Sequence, residues 1–311
     1  MSKRTKILIV VLVLVCLVLV VCCVCRSRVV TTVDTNQIAN EEDVQVAWME
    51  LPAASSLGED RHVITHTAQM EGRTQRNYTI LYDDDLYAAL WVAYPLCASH
   101  TSSGREETWG YDPKVSKSAQ TSVKAGYGAS EPTVNYPKNF YARGHQIPNA
   151  DRSAVPEMQA QTYYSTNMTP QLQNGFNGNI WAKLEEAVRL EIPEGDTLYV
   201  VTGAVFEKHG EYEDVKTILN KNDSKTLPVP NYYWKALLKV QRSGKDITGA
   251  STIGFWLPHA DLKGHSYADY TVSVDQLEEW TGFDLFPSLP DSVEKSSESG
   301  TSWPAFRMYM K

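Results

Sequence analysis

Residues 141–152 read Tyr-Ala-Arg-Gly-His-Gln-Ile-Pro-Asn-Ala-Asp-Arg and set one histidine, His145, between Arg143 and Arg152. Histidine is the side chain whose ordinary pKa lies nearest neutrality, so it can take a proton from water at working pH. Arginine forks match phosphate oxygens two at a time. A base flanked by guanidiniums reads as hydrolysis of a phosphodiester. A second stretch offers a place for a cation. Asn177, Trp181 and Glu185 recur at i, i+4 and i+8, one stripe of a helix expected over 179–190 and ending before Pro193. An amide oxygen is a hard, neutral ligand that suits Mg²⁺, an ion that keeps several waters and uses few protein ligands. Glu185 could hold such water from the outer shell. Each residue also has a plainer reading: Asn177 as a helix N-cap, Glu185 on a solvated helix face, a lone histidine as part of a loop.

The elements that must position these groups are legible as apolar runs. Residues 139–145 form a strand that ends on His145, with Gly144 expected to let the backbone approach a bulky substrate. Residues 61–67, 76–82, 87–97, 197–206, 232–240 and 251–257 are rich in β-branched and aromatic side chains and are expected as strands. Residues 101–113 are turn-rich and read as a long ordered loop. Ser273 and Asp275 are N-cap candidates for a helix whose apolar side holds Leu277 and Trp280. Strands without regular β-α alternation indicate an α+β domain with a central mixed or antiparallel sheet flanked by helices. His62 and His66, four apart on a strand, would stand about 13 Å from each other, so they read as structural or surface histidines.

The chain has 311 residues, 42% hydrophobic and 21% charged, which are globular values with room for a sizeable core. Residues 7–25 carry no charge and follow Lys3, Arg4 and Lys6. That run is long enough to cross a bilayer as a helix, and no Ala-x-Ala-like cleavage site precedes Arg26. The expectation is an N-terminal membrane anchor or signal segment over 1–28, with lipidation at Cys22 as the rival. A polar linker over 29–47 and a catalytic domain over 48–311, exported beyond the cytoplasm, follow. Only Cys97 lies outside the first segment, so the domain has no disulfide framework. Net charge is −8; residues 1–28 hold five basic and no acidic side chains, so the remainder carries −13. That argues against tight, extended nucleic-acid binding by counterion release. Between 114 and 152, however, Lys114, Lys117, Lys124, Lys138, Arg143 and Arg152 face only Glu131 and Asp151. A basic strip on an acidic body suits transient contact and turnover.

Residues 141–152, 166–185, 200–206 and 270–290 together resemble the DNA/RNA non-specific endonucleases, the ββα-metal nucleases that include mitochondrial endonuclease G. The resemblance rests on Arg-Gly-His, then Asn-x-Thr-Pro-Gln from Asn167, then Phe-Asn-x-x-x-Trp-x-x-Leu-Glu ending at Glu185, and it extends over about 48–311. It implies a ββα-metal nuclease fold and cleavage of DNA and RNA to 5′-phosphate and 3′-hydroxyl ends. It further implies His145 as general base, Asn177 as sole direct protein ligand of Mg²⁺ or Mn²⁺, and Glu185 orienting water at the metal. Arg143 would contact the phosphate, and Asn167 would shape or touch the substrate site, with Arg152 beside it. Two departures stand out. Ala142 occupies a place where many members have Asp, and Glu107 one where some have Arg, with Arg105 two residues earlier as the candidate phosphate contact. The alternative is a non-catalytic nucleic-acid-binding or interaction module on the same scaffold; a phosphodiesterase for another exported substrate is the third reading.

Overall fold

The computed structural model describes residues 48–53, 61–207, 209 and 214–310. The expected anchor and linker lie outside the described residues. Among the described residues, no helix is long and apolar enough to cross a membrane. Residues Val46–Lys311 form one compact unit.

The strands are β1 (Arg61–Met70), β2 (Arg73–Asp83), β3 (Ala88–Leu96), β4 (Ser130–Glu131), β5 (Asn139–His145), β6 (Met168–Leu172), β7 (Leu198–Val205), β8 (Thr217–Leu219), β9 (Thr226–Pro228), β10 (Tyr232–Ser243), β11 (Asp246–Pro258) and β12 (Thr271–Val272). The helices are α1 (Pro156–Gln161), α2 (Ala182–Arg189), α3 (Val274–Thr281), α4 (Asp291–Ser297) and α5 (Trp303–Met308). One seven-stranded sheet runs β1-β2-β3-β7-β10-β11-β12, a three-stranded sheet runs β4-β5-β6, and β8 pairs β9. Every strand pair is antiparallel. Of the two sheet types expected, the antiparallel one is present.

Period-two alternation divides the large sheet into two apolar faces. Tyr233 and Leu237 of β10 point to a core that also holds Phe176, Trp181, Leu184 and Val188, so the α2 region packs on this face. Trp234, Ala236 and Leu238 point the other way, to Val274, Leu277, Leu285 and Phe286 around α3. Burial of both faces explains why β7 and β10 read as nearly continuous apolar runs. His66 is buried and pairs with Asp112 Oδ2 at 2.9 Å, whereas exposed His62 meets Asp84 Oδ2 at 3.0 Å. Both are structural or surface groups, as their spacing indicated.

Candidate active site

The strand β5 delivers His145, and its register is set against β6: Arg143 lies opposite Pro170, Gly144 opposite Thr169 and His145 opposite Met168. Gly144 has a different reason from the one expected. A Cβ there would stand 2.2 Å from Gln171 Cδ, so the space is filled by a buried side chain of this chain and not by substrate. After β6 the chain enters a wide helical segment, Gln173–Trp181, interrupted at Asn174 (ψ 138°) and Gly175 (φ 83°) and continuing into α2. Gly175 is required twice over: its φ is left-handed, and a Cβ would meet Asp261 Oδ1 at 2.2 Å. This kink starts the helix that carries Asn177 and Glu185.

The two halves meet in one cleft of about 760 Å³, lined by Arg105, Trp109, Arg143, His145, Asn177 and Glu185 among others. His145 packs edge-on against Trp109 (ring centroids 5.5 Å) and Tyr163 (5.3 Å). Its Nε2 is enclosed and has no hydrogen-bond partner. Burial drives its pKa down to about 3, with the Arg105 and Arg143 charges acting in the same direction and a backbone hydrogen bond to Arg143 opposing them. The ring is therefore neutral at working pH. Arg143 stacks 3.6 Å above the Trp109 ring and donates from Nη1 to Val123 O at 2.8 Å. Arg105 is exposed at the mouth, with Nη2 3.1 Å from Glu107 Oε1, and Glu107 Oε2 accepts from Trp109 Nε1 at 2.7 Å.

Asn177 Nδ2 donates to Gln173 Oε1 at 2.8 Å, which turns the carboxamide so that its oxygen is the group left for a cation. Glu185 is half-buried, not on a solvated helix face. Burial lifts its carboxyl to about 7, with Asp151 adding and Lys235 and Arg189 opposing. A hard oxygen from Asn177, a second oxygen from Glu185 and a cleft open to water fit a divalent cation that retains waters.

Two residues expected at the substrate lie elsewhere. Arg152 is fully buried: Nε donates to Asn77 Oδ1 at 2.6 Å, Nη1 to Asp151 O at 2.8 Å, and Nη2 to Asn77 O at 2.7 Å and Pro95 O at 2.8 Å. Its fork is committed to backbone and amide oxygens that burial would otherwise leave unpaired, so it is a structural group. Asn167 is also fully buried. Its Oδ1 accepts from Ile147 N at 2.9 Å, and its Nδ2 donates to Ile147 O at 3.0 Å and Thr162 O at 2.8 Å. It clamps the chain just after His145 and does not line the cleft. Conversely, the motif gives no place to Lys235. It is fully buried in β10 with an unpartnered Nζ, 5.0 Å from the Trp181 ring, and its charge acts on Glu185. Two lysines at i and i+4 within an apolar strand, Lys235 and Lys239, were the available signal.

A histidine kept neutral, two guanidiniums and an amide-plus-carboxylate pair thus line one cleft. The chain belongs to the DNA/RNA non-specific endonuclease family, whose model matches residues 60–292. It is 29% identical over 224 residues to a nuclease of Serratia marcescens, covering 71% of this chain and 77% of that protein. It is 28% identical over 230 residues to a nuclease of Nostoc sp., covering 72% and 76%. Mitochondrial endonuclease G of Caenorhabditis elegans is 24% identical over 297 residues, covering 88% and 89%. A crystal structure of an EndoG/EndoGI complex shares the fold, with a TM-score of 0.52 at 20% identity over 74% of this chain and 89% of that one.

Proposed function

We propose that this nuclease cleaves both DNA and RNA, leaving 5′-phosphate and 3′-hydroxyl ends, with His145 as general base, Arg143 and Arg105 on the phosphate, and Mg²⁺ or Mn²⁺ held by Asn177. The observation that carries the reading is that His145, Arg143, Arg105 and Asn177 line one cleft. The imidazole of His145 takes the proton of the attacking water, and the guanidiniums hold the phosphate in line with it. Bound, the cation would stabilise charge on the phosphoryl and leaving oxygens. Gln173 holds the Asn177 amide oriented, and Glu185 holds water in the cleft. Residues 7–25 are proposed as the segment that delivers the enzyme to a membrane; resistance to alkaline extraction tests that part.

Cleavage of supercoiled DNA and of RNA by the purified protein, across a divalent-metal titration, tests the chemistry. His145→Ala is expected to lose about 10²–10⁴-fold in turnover with its thermal midpoint kept, and Asn177→Ala to need far more metal. A folded wild type that leaves both polymers intact would refute it and favour the binding-module alternative.

A further inference from the structure

On the sheet face opposite the cleft, α3 and the end of α4 bring carboxylates together with no positive charge among them. Asp275, Glu278 and Glu298 each offer an oxygen, and these oxygens lie within 4.8 Å of one another. Asp284 and Glu294 add to the negative field on Glu298. Among the described residues, none of the five has a basic partner within ion-pair distance.

Glu298 makes this more than an acidic patch. Only 4% of it is exposed, and its Oε1 is enclosed without any hydrogen-bond partner. Its backbone is held at both ends, the N–H donating to Glu294 O at 3.1 Å and the carbonyl accepting from Val274 N at 2.9 Å. These bonds fix the backbone from which the Glu298 side chain reaches the cluster and tie it to the start of α3. A buried carboxylate oxygen with no donor costs free energy unless charge or a proton compensates it. Burial, with Glu278 adding to it, raises Glu298 to about 9, and burial raises Glu278 to about 7. Glu278 also accepts from Leu285 N at 2.6 Å, which fixes its carboxylate from the far side.

We propose that Asp275, Glu278 and Glu298 bind one Ca²⁺ ion that ties α3 to α4. Ca²⁺ accepts roughly six to eight oxygen ligands at roughly 2.3–2.6 Å in flexible geometry, which suits carboxylates carried on two separate helices, whereas Mg²⁺ demands a near-ideal octahedron. Three carboxylates without nitrogen or sulfur exclude a preference for Zn²⁺. Asp275 is exposed, which leaves one side open for water to complete the shell.

Calorimetric titration of the metal-stripped full chain with CaCl₂ tests this without reading cleavage. An Asn177→Ala background removes the candidate cation ligand of the cleft, so the two sites are separated. One Ca²⁺ per chain is expected to persist in that background, with affinity falling at least tenfold in Asp275→Asn and in Glu298→Gln. Ca²⁺ should also raise the thermal midpoint of the Asn177→Ala chain and not that of the same chain carrying Asp275→Asn. Because Asp275 is exposed, that variant is informative even if Glu298→Gln fails to fold. Absence of Ca²⁺ binding in the Asn177→Ala chain, or undiminished affinity in Asp275→Asn, overturns the proposal. So does a midpoint that rises on acidification while ignoring Ca²⁺, which would mark a shared proton in place of an ion.

Discussion

Arg152→Ala separates a structural guanidinium from a substrate contact. In the folded chain the fork makes four hydrogen bonds at 2.6–2.8 Å to Asn77 Oδ1, Asn77 O, Asp151 O and Pro95 O, and the side chain is 0% exposed. Charge-assisted bonds of this kind contribute about 1.5–3 kcal/mol each when measured singly. They do not add, because the acceptors share one donor group and can relax together. Two anchors survive: Asn77 Nδ2 still donates to Met158 O and Gln161 Oε1, and Asp151 still binds Tyr94 and Arg189. Removing one partner from a buried charged network costs roughly 3–5 kcal/mol. At about 2–4 °C per kcal/mol for a domain of this size, the midpoint should fall by roughly 10 °C. Urea unfolding and a thermal scan measure this directly. Arg152→Lys should recover only part of the loss, since one ammonium cannot span the same planar set of acceptors. An unchanged midpoint together with a raised KM, and a salt dependence shallower by about one charge, would return Arg152 to the substrate and refute the structural reading.

Gly144→Ala should destabilise by about 1–3 kcal/mol through overpacking against buried Gln171 and lower turnover by moving the adjacent base; unaltered stability and turnover would mean that Gln171 can yield. Glu107→Gln should free Arg105 and lower KM for DNA by about two- to fivefold, the small effect expected of an exposed ion pair, while a raised KM would show that Glu107 positions Arg105 productively. His259 accepts from Leu172 N at its Nε2 and contacts Pro230 O at Nδ1, both at 2.8 Å, so only the neutral ring fits. Burial lowers its pKa from 6.5 to about 4. In that window the unfolded chain binds the proton and the folded chain does not, so stability is full above about pH 6.5 and falls as pH drops toward 4. His259→Gln should flatten that loss by up to about 1.4 kcal/mol per pH unit, read by urea unfolding at pH 4.5 to 7; a slope equal to wild type would place the acid sensitivity in other groups.

The strands around the site were legible because their alternation records burial on two faces; His145, Asn177 and Glu185, read from motif chemistry, line one cleft. What stayed hidden were residues whose role is set by partners distant in sequence. Arg152 looked like a phosphate fork because it stands seven residues after His145, but its acceptors lie 75 and 57 positions away at Asn77 and Pro95. Asn167 sits inside the most recognisable motif and serves it indirectly, by gripping Ile147. The glycine before His145 signals close approach in either reading; only the fold says that the approaching group is Gln171. α4 and α5 are short helices of mixed polarity, seven and six residues long. They lack the apolar period that marks longer ones.

The electrostatics of the free cleft and its proposed chemistry fit together through the substrate's own charge. An imidazole held at about pH 3 is certain to be unprotonated but is a weak base. After burial, the contributions holding it down are the positive charges of Arg105 and Arg143. A phosphodiester bound between those guanidiniums cancels their repulsion of an imidazolium, so the base strengthens only once a substrate is in place. The Arg105–Glu107 pair opposes this only weakly, because both side chains are exposed. On the proposed function, an overall charge of −8 would favour turnover, since a cleaved polyanion would be held at few points and released.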